Sequence, residues 1–210
     1  MEVNYHTFPS GKSYAYIKTE SGQKVFLRNI LFLHNTAAPY QIALVHEFGK
    51  RTQTAAWEPP KGQMEWKEFS AEGIKAGAKI RPASLERHQR EGVCRELTEE
   101  AKILPSEISG LKRLPYCYKQ AWPESGLKDA FFIYQYWQAK TTPAILFEAQ
   151  KRLDILKADK DLKAMLPADN SEKDAVRWWS PKNGWEIIYG DFSKKMTQCY
   201  FKVLPKLHDV

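Results

Sequence analysis

Six stretches, at residues 13–18, 25–34, 41–48, 111–122, 130–140 and 175–179, are apolar or alternate apolar with polar residues and are rich in β-branched and aromatic side chains. Several strands in mixed order imply a sheet. Three further stretches, at residues 84–104, 144–165 and 191–207, carry helical periodicity, with Pro105 and Pro205 marking expected stops or kinks. Helices between and after strands make this an α+β chain. Ser21-Gly22 reads as the tip of an early hairpin and Glu124-Ser125-Gly126 as the tip of a later one.

With 210 residues, 43% hydrophobic and 13% aromatic, the chain can bury one substantial core. Its 32 Lys and Arg against 25 Asp and Glu leave a formal charge of +7, which draws anions through the long-range field. Cys94, Cys117 and Cys199 are widely spaced and form no C-x-x-C pair, so neither a disulfide framework nor a cysteine-based zinc site is indicated. The apolar groups at residues 30–33 and 131–134 are far too short to span a bilayer, and no cationic segment leads into a long apolar stretch at the N-terminus. The expectation is a protein without a membrane partner, cytoplasmic or otherwise intracellular. Lys151, Arg152, Lys157, Lys160 and Lys163 on the middle helix read either as a solvated face or as a contact for a polyanion.

The segment Arg95-Glu96-Leu97-Thr98-Glu99-Glu100 places three glutamates at i, i+3 and i+4 of a helix, in one sector. Carboxylates gathered this closely repel one another unless a cation neutralises them, and hard oxygen ligands suit Mg²⁺ or Mn²⁺. The same pattern without a metal is a solvated acidic face.

Upstream lies Trp57-Glu58-Pro59-Pro60-Lys61-Gly62-Gln63-Met64-Glu65-Trp66-Lys67-Glu68. With it the chain resembles the Nudix hydrolases, whose signature runs G-x5-E-x7-R-E-U-x-E-E-x-G-U, U being aliphatic. Gly62 and Glu68 fit the first half, and Arg95 to Glu100 the second. Pro60-Lys61-Gly62 resembles a lead-in of several branches of that family, and residues 172–179 resemble its late acidic-then-tryptophan strand. The resemblance implies a Nudix-type mixed β-sheet packed between helices, an α/β/α sandwich, over about residues 25–207. Residues 1–24 would then be an N-terminal hairpin extension packed on it, and insertions would fall near 69–82 and 143–168.

Two departures stand out. Twenty-six residues, Phe69 to Cys94, occupy the place of the family's seven, so the excess around residues 70–82 is expected to loop out as a mobile lip carrying Lys75, Lys79 and Arg81 near the substrate. Lys102 replaces the glycine before Ile103, so the helix is expected to run on towards Pro105.

The resemblance further implies a pyrophosphohydrolase in which Glu96, Glu99, Glu100 and Glu68 hold Mg²⁺ (or Mn²⁺), Arg95 orients an acid of the cluster, and Lys61 and Gly62 meet the substrate. Arg95 also has Glu99 in reach at i+4. The base is Glu96 or, in a later loop, Glu172 or Asp174. The implied substrate is a nucleoside diphosphate derivative, dinucleoside polyphosphate, diphosphoinositol polyphosphate or related anionic polyphosphate, with capped RNA as a further member. Trp66, Trp122, Trp137, Trp178 and Tyr118 stand either as stacking surfaces for a base or as core. The rival readings are a catalytically silent nucleotide- or RNA-binding module of the same fold and a metal-free interaction protein using the basic helix.

Overall fold

The computed structural model describes residues 1–47, 56–121, 127–166 and 172–208. Among these, the strands are β1 (Glu2–Thr7), β2 (Ser13–Lys18), β3 (Lys24–Asn35), β4 (Ile42–Glu47), β5 (Trp57–Glu58), β6 (Lys61–Gln63), β7 (Ala78–Lys79), β8 (Ser109–Ala121), β9 (Ala130–Thr141) and β10 (Lys173–Trp179). The helices are α1 (Trp66–Ala71), α2 (Pro82–Ala101), α3 (Pro143–Ala158), α4 (Lys160–Met165) and α5 (Gly190–His208). This is an α+β chain. It divides into two compact units, one of Met1–Leu31, Lys61–Glu96 and Lys112–Trp137, the other of Phe32–Pro60, Leu97–Leu111 and Gln138–Val210.

In the first unit β1 and β2 form an antiparallel hairpin, Val3 opposite Ile17, and β2 continues into β3 with Ile17 opposite Val25. The Ser21-Gly22 tip has Gly22 at φ 83°, a conformation glycine reaches without cost, and its N–H donates to Thr19 O at 2.9 Å. Strand β6 lies antiparallel to β3, which sets Gly62 opposite Asn29. Asn29 is 2% exposed and holds α2 in place: its Nδ2 donates to Gln89 O at 3.2 Å while Trp137 Nε1 donates to its Oδ1 at 3.0 Å.

The expected loop-out around residues 70–82 is instead built into this unit. Helix α1 buries Phe69, Gly73 and Gly77 turn the chain at φ 74° and 82°, and β7 pairs with β1, Ala78 opposite Val3. Ile74 and Ile80 join Phe69, Val3, Ile17 and Leu85 in one apolar cluster. The excess is held down because its apolar side chains have a core to enter and β1 offers it a strand edge. Neither partner is local in sequence.

In the second unit β4 pairs antiparallel with β10, Val45 opposite Val176, and with β5, Val45 opposite Glu58. The stretch expected as one helix over 144–165 is two. Thr142 caps α3 by accepting from Ile145 N, the chain becomes extended at Asp159, and Asp159 Oδ1 accepts from Leu162 N at 2.9 Å to start α4. On α5 the buried Met196, Tyr200 and Leu204 recur every four residues, Tyr200 stacking on Phe32, and Pro205 stands inside the helix rather than ending it. No helix among the described residues is long and apolar enough to cross a membrane. The 124–126 hairpin tip and Trp122 lie outside the described residues, as do the side chains of Lys160 and Lys163.

Candidate functional site

Gly62 is where the first unit's chemistry gathers. Its backbone faces the carboxylate that α2 delivers at Glu96, and a Cβ on Gly62 would stand 1.7 Å from Glu96 Cδ and 1.8 Å from its Oε1. Any side chain there must push the carboxylate aside. Arg95, one residue before, fans its guanidinium over acids from different elements. Its Nε donates to Glu68 Oε1 at 2.9 Å, its Nη2 reaches Glu96 Oε1 at 2.6 Å and Gln63 O at 3.4 Å, and its Nη1 lies 3.6 Å from Glu65. Gly62 and Glu68 are therefore gathered with Arg95 and Glu96, although 26 residues separate Glu68 from Arg95.

Three carboxylates against this guanidinium, with the exposed Lys67 on Glu65 at 2.7 Å, leave a surplus of negative charge. Burial pushes the Glu68 carboxyl up from its ordinary range, while Arg95 pulls it back. Glu68 Oε2 is buried and has no hydrogen-bond partner among the described residues. A half-buried acidic group with an orphaned oxygen beside bare backbone is a donor set that fits a hard divalent cation.

The second unit holds its own acidic cluster around Lys173. The Nζ lies 3.0 Å from Glu58 Oε1 and 3.3 Å from Glu100 Oε1, with Glu47 at 4.0 Å, and Ser193 Oγ donates to Glu58 Oε2 at 3.3 Å. The Lys173, Glu58, Glu100 and Ser193 side chains are almost fully buried, so the ammonium is what makes the two inner carboxylates tolerable. The register shift between Lys173 and Ala175 explains why Lys173 and Asp174 are both buried where a regular strand would alternate. Asp174 bonds His46 Nδ1 at 2.6 Å, while Glu172 stands exposed at the bend before β10.

Glu99 and Glu100 sit in the last turn of α2, which ends at Ala101. The expected run towards Pro105 does not occur, because Lys102 itself adopts φ 55° and fills the role of the missing glycine. Its Nζ donates to Glu99 O at 2.6 Å, closing one of the helix's open carbonyls, and Arg152 Nη1 donates to Lys102 O at 2.7 Å.

Of the other residues singled out in sequence, Lys61 is half-buried on β6 opposite Ile30. Trp137 is core, Trp66 stacks on Tyr5, and Trp178 and Tyr118 are half-buried. Sequence reasoning missed Glu65, Glu58 and above all Lys173, since a lysine opening a strand carries no motif and reads as exposed.

No protein family model matches the chain, and no curated protein sequence does. Among solved structures it is similar to the E. coli ORF135 protein, at 14% identity over 88% of this chain and 94% of that one, TM-score 0.47. It is also similar to a Nudix hydrolase from Nitrosomonas europaea (13% identity, 85% and 90% covered, TM-score 0.42) and to a C. elegans Ap4A hydrolase in a binary complex (16%, 84% and 98%, TM-score 0.41). At these values nothing about function passes from those proteins to this chain.

Proposed function

We propose that this chain is a Nudix-type pyrophosphohydrolase, cutting a phosphoanhydride bond in a nucleoside diphosphate derivative, dinucleoside polyphosphate or related anionic polyphosphate with the help of Mg²⁺ or Mn²⁺. What carries the reading is Arg95, joined to Glu68 and Glu96 beside the bare backbone of Gly62. A solvated acidic face needs neither the glycine nor the guanidinium at that place.

Glu96, Glu99, Glu100 and Glu68 are assigned as metal ligands. When bound, the ion neutralises charge on the phosphoryl oxygens, steadies the leaving phosphate and makes water a better nucleophile. Arg95 positions Glu68 and Glu96 by bonding to both carboxylates. Lys61 and the Gly62 backbone receive the anionic substrate. Glu96 is assigned the proton of the attacking water, with Glu172 as the second candidate; comparing Glu96→Gln with Glu172→Gln separates them, because only the true base shifts the acid limb of the pH–rate profile.

The test is a substrate panel of nucleoside diphosphate derivatives, dinucleoside polyphosphates and capped RNA, with products identified after incubation with Mg²⁺ or Mn²⁺. Cleavage at a pyrophosphate link is expected. Binding of these compounds with no cleavage under either metal would instead identify the catalytically silent module.

A further inference from the structure

The segment that separates the two halves of the signature brings a second group of ligand atoms together, and none of them belongs to the site proposed above. Glu72 follows α1 in the excess segment, and His88 and Glu91 lie on α2. One ligand atom from each falls within 4.8 Å of the other two. His88 is 1% exposed, and neither of its ring nitrogens has a hydrogen-bond partner among the described residues. Its Nε2 points to Glu72 Oε2 at 3.5 Å and its Nδ1 to Glu91 Oε2 at 3.8 Å, both too long for hydrogen bonds. The Phe69 ring, its centroid 4.3 Å away, packs on the imidazole and keeps it there.

We propose that Glu72, His88 and Glu91 form a binding site for a divalent ion of the zinc type, which ties the excess segment to α2. A buried imidazole with two idle nitrogens is costly, and coordination is a use for one of them. One imidazole and two carboxylates, with water completing a tetrahedron, are a donor set suited to zinc, whose ligand atoms stand roughly 3.3 Å apart at bond lengths of about 2.0–2.1 Å. The Nε2 to Oε2 separation already matches that, and Glu91, more than half exposed, can swing in.

Arg87 is the competitor. Its guanidinium grips both oxygens of Glu72 at 2.7 and 2.6 Å and reaches Glu91 at 3.3 Å, so a metal ion must displace it. The two carboxylates carry a charge of about −2, which a divalent ion in place of the arginine neutralises and the single charge of Arg87 does not.

Zinc titration of the full, chelator-treated chain in excess Mg²⁺, which occupies oxygen-only sites, tests this by calorimetry and by the rise in melting temperature that a native-state ligand causes. One zinc per chain is expected, weakened at least tenfold by Glu72→Gln and His88→Gln. Arg87→Met, which removes the competing cation, should tighten it several-fold. If His88→Gln fails to fold, Glu72→Gln and the exposed Glu91→Gln decide. Wild-type zinc affinity in those two variants, or no zinc binding in the parent chain, overturns the proposal. Neither result depends on hydrolytic turnover.

Discussion

Gly62→Ala separates folding from catalysis at one methyl group. The added Cβ would lie 1.7 Å from Glu96 Cδ, where carbon atoms in contact stand about 3.5–4.0 Å apart, so the carboxylate must retreat by about 2 Å. The atom that must move is the tip of a flexible side chain, and Gly62 is not among the positive-φ glycines, so alanine fits its backbone. Losing the 2.6 Å Arg95–Glu96 pair costs about 1 kcal/mol at a site that remains partly solvated, and the stiffer unfolded chain returns about 0.4–1 kcal/mol. The two nearly cancel, and the melting temperature should stay within about 4 °C of the parent. Catalysis has no such compensation. A displacement of this size in a ligand or base costs on the order of 100-fold, equivalent to about 2.7 kcal/mol of barrier. Steady-state cleavage of a pyrophosphate substrate, read from its nucleotide products, and a thermal melt on the same sample are the assay. If Gly62→Ala keeps its rate within threefold of the parent, Glu96 does not act from where the structure holds it. A collapse of the melt would show instead that the glycine serves packing.

Replacing Lys173 by Met leaves Glu58 and Glu100 buried without their cation and should cost about 3–5 kcal/mol in urea unfolding; a loss below about 1 kcal/mol would show that water reaches them. Lys102→Gly and Lys102→Ala both lose the bond to Glu99 O, and only glycine is relieved at φ 55°, so the glycine variant should be the more stable by about 1 kcal/mol; equal midpoints would contradict strain there. Arg152, donating to Glu107 at 2.7 and 2.5 Å, holds that carboxyl below its usual range. The stabilisation is therefore complete above the unfolded value of about 4.3 and is lost as pH falls through the depressed folded one, so the stability gap between the parent and Glu107→Gln should narrow below about pH 4. A gap independent of pH would mean that the pair contributes through packing alone.

Long, strongly patterned elements were legible in the sequence. β2 begins and ends where its alternation does, and α2 and α5 differ from expectation by a few residues at most. Short elements defined by distant partners were not: β7 is two residues long and exists because β1 lies beside it, and β1 buries only Val3, which leaves no alternation to detect. Glu96, Glu99 and Glu100 stand out by their spacing and Glu68 by the family resemblance, but the contacts that surround them cannot be read from either. Glu65 is drawn in because α1 begins beside it, and Lys173 is turned inward by a bulge that no residue type announces. Lys102 shows the limit from the other side, since reading it as a residue that cannot end a helix undervalued the bond its own side chain makes.

If the carboxylates of α2 act through a divalent ion to cleave pyrophosphate, the cleavage rate across a Mg²⁺ titration of the parent and Glu99→Gln will show it. Glu99 is the cleaner choice, because an amide at Glu100 would also disturb the buried pair with Lys173. The expected result is no turnover in excess chelator, saturable recovery with Mg²⁺, and a loss of at least about 100-fold in Glu99→Gln with an unchanged melt. Full activity in chelator, or a Glu99→Gln curve that overlays the parent, would contradict it.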